Sequence, residues 1–237
     1  MTGLPDVFEL ERRPDGIAVL WLSRPEKLNA MGPPFWEGLP EAMHLIGGDD
    51  AVRVVILAGR GRAVSVGLDL PAFSEQLMGS GEVSPAAKSL QFLQLVKSMQ
   101  GAITSVADCP KPVIAAVHGY CLGGGVDLIT ACDMRLAAAD AVFSVRETRL
   151  AMVADVGTLQ RLPAIVGPGR VADLVYSGRD VSASEALDYG LVEKVYPDAE
   201  TLLKEALELA NRIAANSPLA VQGAKAVLRA GANRSVD

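Results

Sequence analysis

The chain has 237 residues, half of them hydrophobic and 21% charged, with a formal net charge of −6; that is enough apolar material for one substantial core. An acidic chain without clustered Lys and Arg excludes a general nucleic-acid or anionic-membrane surface. The longest uncharged stretch of the central block, Pro112 to Val126, is shorter than the roughly 18 residues a membrane span needs. Two histidines and an odd count of three cysteines stand at none of the close spacings of a metal site. We therefore expect no metal and no disulfide. The opening residues have no secretory pattern, and a soluble protein of the reducing cytoplasm follows.

Val7 to Glu11 alternates apolar and acidic residues, Pro14-Asp15-Gly16 makes a turn, and Ile17 to Leu22 resumes an apolar run, which predicts a β-hairpin. Arg24-Pro25 breaks the strand. Phe35, Leu39, Met43 and Ile46 then recur at helical spacing in Pro33 to Ile46, with Pro33 and Pro34 suited to the first turn and Pro40 to a kink. Val52 to Leu57 reads as a buried strand and Val64 to Leu70 as a short one. The mixed, Gly- and Ser-containing segment Pro71 to Val83 reads as loop. Ser84-Pro85 opens a long helix that stops at Cys109-Pro110. Pro112 to Val117 is a further buried strand, running to Gly123-Gly124-Gly125 and a helical pattern after it.

Met134 to Ala138 and Val142 to Val145 read as strands, followed by short helices at Thr158 to Val166, Pro168 to Ser177 and Ser182 to Tyr189. Leu191 to Tyr196 is a strand, and two helices follow, Ala199 to Ala215 and one from Ser217-Pro218 to near Gly231. The order describes an α/β or α+β core over 1–197 with a helical C-terminal extension over 198–237.

Two small-residue turns follow buried strands: Ser65-Val66-Gly67-Leu68-Asp69 and the glycine run. Consecutive glycines at a helix start let backbone N–H groups approach a ligand, and two such turns together offer two donors to one oxyanion. Asp127, Glu147 and Asp155 each stand among apolar or small residues, where carboxylates acquire raised pKa values and serve as acids or bases. Each also has a plain structural reading. Asp127 suits a helix N-terminus, Glu147 pairs with Arg146 or Arg149, and Asp155 caps a helix from Val156. His118 reads as a structural histidine, and Arg161 and Arg170 as surface charges or subunit contacts.

The runs HGYCLGGGVDLITACD and FSVRETRLAMVADVGTLQRLP, with Arg24 to Met31 and Ser65 to Leu70 ahead of them in order, resemble the enoyl-CoA hydratase/isomerase (crotonase) superfamily. Within it they are most similar to the dienoyl-CoA isomerases. The resemblance implies a spiral of β-β-α units, with C-terminal helices that mediate a homotrimer or a homohexamer. It implies an acyl-CoA thioester as partner, with no cofactor beyond the coenzyme A of the substrate. It assigns the oxyanion donors to the amides of Val66 and Gly124, although Val66 and Val64 depart from the family's usual residues there. It assigns the acids to Asp127, Glu147 and Asp155, and the contacts to the substrate to Lys27, Asn29, Ala30, Gly67, Leu68, Asp69, Leu70 and Gly125.

Hydratases of the family carry Glu at the position of Asp127 and a glycine-rich segment at Asp155. The three acids therefore favour moving a proton along a 3,5-dienoyl chain over hydrating a 2-enoyl-CoA. A non-catalytic acyl-CoA-binding homologue would be expected to have lost the acids. The family usually continues with another helical stretch, so the lid over the acyl pocket and part of the trimer interface are expected to be incomplete.

Overall fold

The computed structural model describes residues 3–78 and 84–231. In chain order its elements are β1 (Phe8–Arg12), β2 (Ile17–Leu22), α1 (Pro33–Gly47), β3 (Val54–Gly59), β4 (Ala63–Ser65), α2 (Leu70–Met78), α3 (Pro85–Asp108), β5 (Val113–Val117), β6 (Tyr120–Leu122), α4 (Gly124–Thr130), β7 (Met134–Ala138) and β8 (Val142–Ser144). They continue with α5 (Thr158–Val166), α6 (Pro168–Ser177), β9 (Val181–Ser182), α7 (Ala183–Tyr189), β10 (Lys194–Tyr196), α8 (Ala199–Ala214) and α9 (Pro218–Gly231).

The hairpin β1–β2 forms as expected, with Phe8 opposite Leu22. Parallel pairing then carries the sheet from β2 through β3, β5 and β7 to β10, giving the order β1-β2-β3-β5-β7-β10. After each of β3, β5 and β7 the chain turns into a second, smaller sheet of order β4-β6-β8-β9. Successive turns of chain thus lay one strand in each sheet, and helices close the turns: the spiral of β-β-α units. The central strands β2, β3 and β5 of the large sheet read as unbroken apolar runs because both faces are covered. Leu20, Leu57 and Ala115 point to the inner core with α1, α3 and α4. Val19, Ile56 and Ile114 point to the outer face.

That outer face is covered by α8, through Leu202, Ala206, Ala210 and Ala214. Alanines one turn apart let the helix lie close to the strands. The division expected at 197/198 therefore does not separate an extension from a core, since α8 is one wall of the core. By contrast, α9 projects, and Lys225 is its one buried residue. The Lys225 ammonium donates to Asp133 Oδ2 (2.6 Å) and to the Lys111 carbonyl (2.9 Å).

Two local expectations change. The loop over Pro71 to Val83 is helical to Met78, because Asp69 Oδ1 accepts the Ala72 amide (3.3 Å) and starts the turn; residues 79–83 lie outside the described residues. The strand expected over Val64 to Leu70 ends at Ser65, since Gly67 takes a left-handed φ of +84° and reverses the chain.

Candidate active site

The turns after β4 and β6 touch. A side chain on Gly67 would place its Cβ 2.6 Å from the Leu122 carbonyl oxygen and 3.0 Å from the Gly124 amide nitrogen, so glycine is required there both for φ and for the approach. Gly124 opens α4 behind Gly123, which has φ +51°. A Cβ on Gly124 would lie 3.8 Å from the Leu68 amide nitrogen.

Most amides of the first turn are already engaged. Val66 N–H donates to the Leu28 carbonyl (3.2 Å) and Asp69 N–H to the Met31 carbonyl (3.0 Å). Gly67 N–H donates to Ser65 Oγ (3.0 Å). The Leu68 and Gly124 amides have no acceptor among the described residues. The expected donor at Val66 is thereby corrected: its N–H is spent on Leu28, and the free amide of this turn is two residues on, at Leu68.

Two cavities meet at this point. The inner one, about 300 Å³, is lined by Trp36, Phe73, Phe92, Met99 and Val153, and by Asp127, Glu147 and Asp155. The outer one, about 610 Å³ and more open, is lined by Leu28, Val66, Leu70, Tyr120, Arg146 and Arg149. Leu68, Gly124, Glu147 and Met152 line both, so the two free amides and one carboxylate stand at the neck.

The three acids have distinct surroundings. Glu147 begins a short 3-10 turn (Glu147–Leu150) after β8. Its carboxylate packs on Gly123, where an added Cβ would meet Oε1 at 3.3 Å, and its buried Oε2 has no hydrogen-bond partner among the described residues. Burial, helped by the like charges of Asp127 and Asp155, pushes Glu147 up to about 7. It is not the ion-pair partner of Arg146, which holds Asp180 (2.7 Å) instead.

Asp127 is 1% exposed. Its Oδ1 accepts the amide of Thr158, the first residue of α5, at 2.6 Å. Burial raises its pKa, opposed by the Thr158 hydrogen bond and the charge of Arg161.

Asp155 is half-buried, and its carboxylate accepts no hydrogen bond from the described residues. Its carbonyl accepts from Gln100 Nε2 (2.7 Å). It does not cap α5, whose N-cap is Gly157.

The expected substrate contacts divide. Leu68 and Leu70 line the cavities. Gly67 and Gly125 are packing glycines, the latter against the Ser65 carbonyl. Asn29 is corrected from ligand contact to scaffold. It is 3% exposed, its Oδ1 accepts the Arg24 amide, and its Nδ2 donates to the carbonyls of Arg60 and Ala63. Asp69 likewise is held by Arg24 (2.7 Å), whose hydrogen bond lowers its pKa, and it starts α2. Lys27 is exposed, Ala30 is half-buried, and neither lines either cavity. Arg161 is not a surface charge, being half-buried with Nη2 on Thr104 Oγ1 (3.0 Å). The aromatic wall of Trp36, Phe73 and Phe92 carried no local signal beyond apolar spacing.

Comparison with known proteins identifies the family. The family model described as enoyl-CoA hydratase/isomerase matches residues 12–236. A protein of Dictyostelium discoideum named "Delta(3,5)-Delta(2,4)-dienoyl-CoA isomerase, mitochondrial" is 42% identical over 93% of this chain and 75% of its own. An Arabidopsis thaliana protein of the same name, designated peroxisomal, is 45% identical over 92% of this chain and 79% of its own. The crystal structure of an enoyl-CoA hydratase from Bacillus anthracis superposes with a TM-score of 0.86 at 34% identity, over 97% of this chain and 84% of that one. The chain belongs to the enoyl-CoA hydratase/isomerase family. No helix among the described residues is long and apolar enough to cross a membrane.

Proposed function

We propose that the protein is a dienoyl-CoA isomerase, converting a 3,5-dienoyl-CoA to the 2,4-isomer. The observation that carries this is the placement of three carboxylates along one apolar chamber whose neck holds two free amides. The thioester carbonyl sits at the neck and accepts from Leu68 and Gly124 N–H, the acyl chain runs inward, and the coenzyme A runs outward past Arg146 and Arg149. Arg149 has no ion-pair partner within salt-bridge distance among the described residues.

Glu147 at the neck is next to C2 and removes a proton there. The electron pair moves into the conjugated system as a dienolate, whose oxygen charge the two amides stabilise. Asp155, in the inner chamber, gives a proton at C6, which fixes the new double bonds at C2 and C4. One carboxyl ends the turnover protonated and the other ionised, and a proton exchanged with solvent resets them. Because coupled acids titrate as a set, the assignment of acid and base belongs to the pair.

A hydratase needs two carboxylates on one water. The third acid, and the higher identity to proteins named isomerase than to the hydratase structure, favour isomerisation. Incubation with 3,5-dienoyl-CoA and, separately, 2-enoyl-CoA tests this: conjugated-diene absorbance should grow in the first, and fast hydration of the second alone would overturn it. Binding without either reaction would mark an acyl-CoA-binding homologue. The exposed Leu219, Val227 and Leu228 of α9 support assembly as a trimer or hexamer, and a monomer mass in light scattering across concentrations would count against it. The relatives named for mitochondria and peroxisomes lend no support to a cytoplasmic location.

A further inference from the structure

Arg161 is not used by the reaction as described, yet it occupies an unusual position. It lies one turn into α5, and its guanidinium folds back over the start of its own helix. Gly157, the N-cap with φ +139°, has no side chain there, and a Cβ at 157 would lie 1.8 Å from Arg161 Nη1. The space a side chain would fill is taken by the cation. Nη2 donates to Thr104 Oγ1 of α3 (3.0 Å), while Nη1 is buried with no partner among the described residues. A buried guanidinium nitrogen without a partner is costly, and its charge needs an anion nearby.

Arg161 makes no ion pair among the described residues, and the first acid whose charge acts on it is Asp127. Its carboxylate sits at the same end of α5, accepting the Thr158 amide at 2.6 Å. A helix N-terminus favours negative charge.

We infer that Arg161 is a positioning residue that, with the start of α5, holds Asp127 as a fixed negative charge, so that Asp127 acts on Glu147 by repulsion and never as a proton carrier. The inference deepens the proposed function and rests on that reading for its consequence in turnover. The charged groups involved are few. Asp127 faces Arg161 and Asp155. Arg161 faces Asp127, Asp108 of α3 and Arg229 of α9. Glu147 faces Asp127 and Asp155. Burial favours the neutral form of Asp127, and the Thr158 hydrogen bond and then the charge of Arg161 oppose it. With Asp127 neutral, Glu147 would lose a like-charge neighbour and become more acidic.

The test reads titration directly, so it stands apart from turnover. Carboxyl carbon-13 NMR, with Asp127 assigned by the loss of its signal in Asp127→Asn, should show Asp127 ionised throughout pH 5–9 in the parental protein. An Asp127 carboxyl that titrates or is protonated in that range overturns the inference, whatever any variant does. In Arg161→Gln, Asp127 should titrate within the range and the Glu147 midpoint should fall by on the order of one pH unit. In Asp127→Asn the further change Arg161→Gln should not lower the Glu147 midpoint. A Glu147 midpoint in Arg161→Gln that stays put or rises, in a protein that melts cooperatively, also overturns it, since a merely structural arginine would alter stability and leave the titration alone. Failure of dienoyl-CoA turnover with these titrations intact would sink the isomerase reading and leave the role of Arg161 standing.

Discussion

Asp127 on α4 and Thr158 at the start of α5 are joined by one 2.6 Å hydrogen bond, from the Thr158 amide to Asp127 Oδ1. The bond satisfies a helix-start amide with a carboxylate from a different element. It thereby frees Asp155, the acid nearest in sequence, to face the cavity.

For Asp155 the consequence is a clean substitution. Asp155→Asn keeps size and removes the proton, and no hydrogen bond to the carboxylate is lost among the described residues. Dienoyl-CoA turnover should fall ~10²–10⁴-fold, the usual loss for a general acid or base, with the melting temperature close to that of the parent. Parental turnover in a folded variant would remove Asp155 from the mechanism.

The pH dependence of kcat/KM follows from Glu147. A base pushed up to about 7 is mostly protonated at pH 6, so activity should climb as the pH rises to neutrality. A profile already flat from pH 5 upward would show that the rate does not depend on Glu147 ionising.

Stability should move the other way. Glu147 has a folded pKa above its unfolded value of 4.5, so its contribution is favourable below that value and is lost as pH rises through about 7. Glu147→Gln should therefore melt higher than the parent at pH 8, by the equivalent of about 1–3 kcal/mol, with the gain shrinking toward zero at pH 4. The same variant should be catalytically crippled. Calorimetry at the two pH values checks the sign, and an equal gain at both would refute it.

Gly67→Ala tests the contact between the two turns. The new methyl meets the Leu122 carbonyl and the Gly124 amide in a left-handed backbone. We expect a loss of about 1–3 kcal/mol in stability and a ~10²–10³-fold drop in kcat from displacing an oxyanion donor. Full activity would mean that the Gly124 amide does not serve the reaction.

Much of this was legible in the sequence, and the failures have physical causes. Strands buried on both faces are unbroken runs of Val, Ile, Leu and Ala, which is why β2, β3 and β5 read clearly. The acids were visible because a carboxylate among apolar residues is rare. The resemblance assigns the donor to Val66 whereas the free amide is at Leu68, and local sequence does not say which carbonyls, here those of Leu28 and Met31, fold back onto the turn. Asn29 is a ligand contact by the resemblance alone, and its scaffold role is hidden because its partners Arg60 and Ala63 are distant in sequence. In Arg161 the misleading cue was helical spacing, which cannot show a side chain folded back over a glycine. The short strand β6 and the helix α2 lack length or periodicity, and tertiary packing decides them.

The small sheet sets the order in which the molecule becomes competent. Ala63 pairs with Tyr120 and Cys121 with Phe143, contacts that close long loops before any return is gained and so form slowly. The Leu68 turn, the Gly124 turn and Glu147 hang from three successive windings of the chain, and the anchor for Asp127 arrives only with α5. A chain emerging from the ribosome thus carries each chemical group long before it can use any of them. During refolding, secondary structure should return well ahead of activity, because catalysis waits for the last winding to dock.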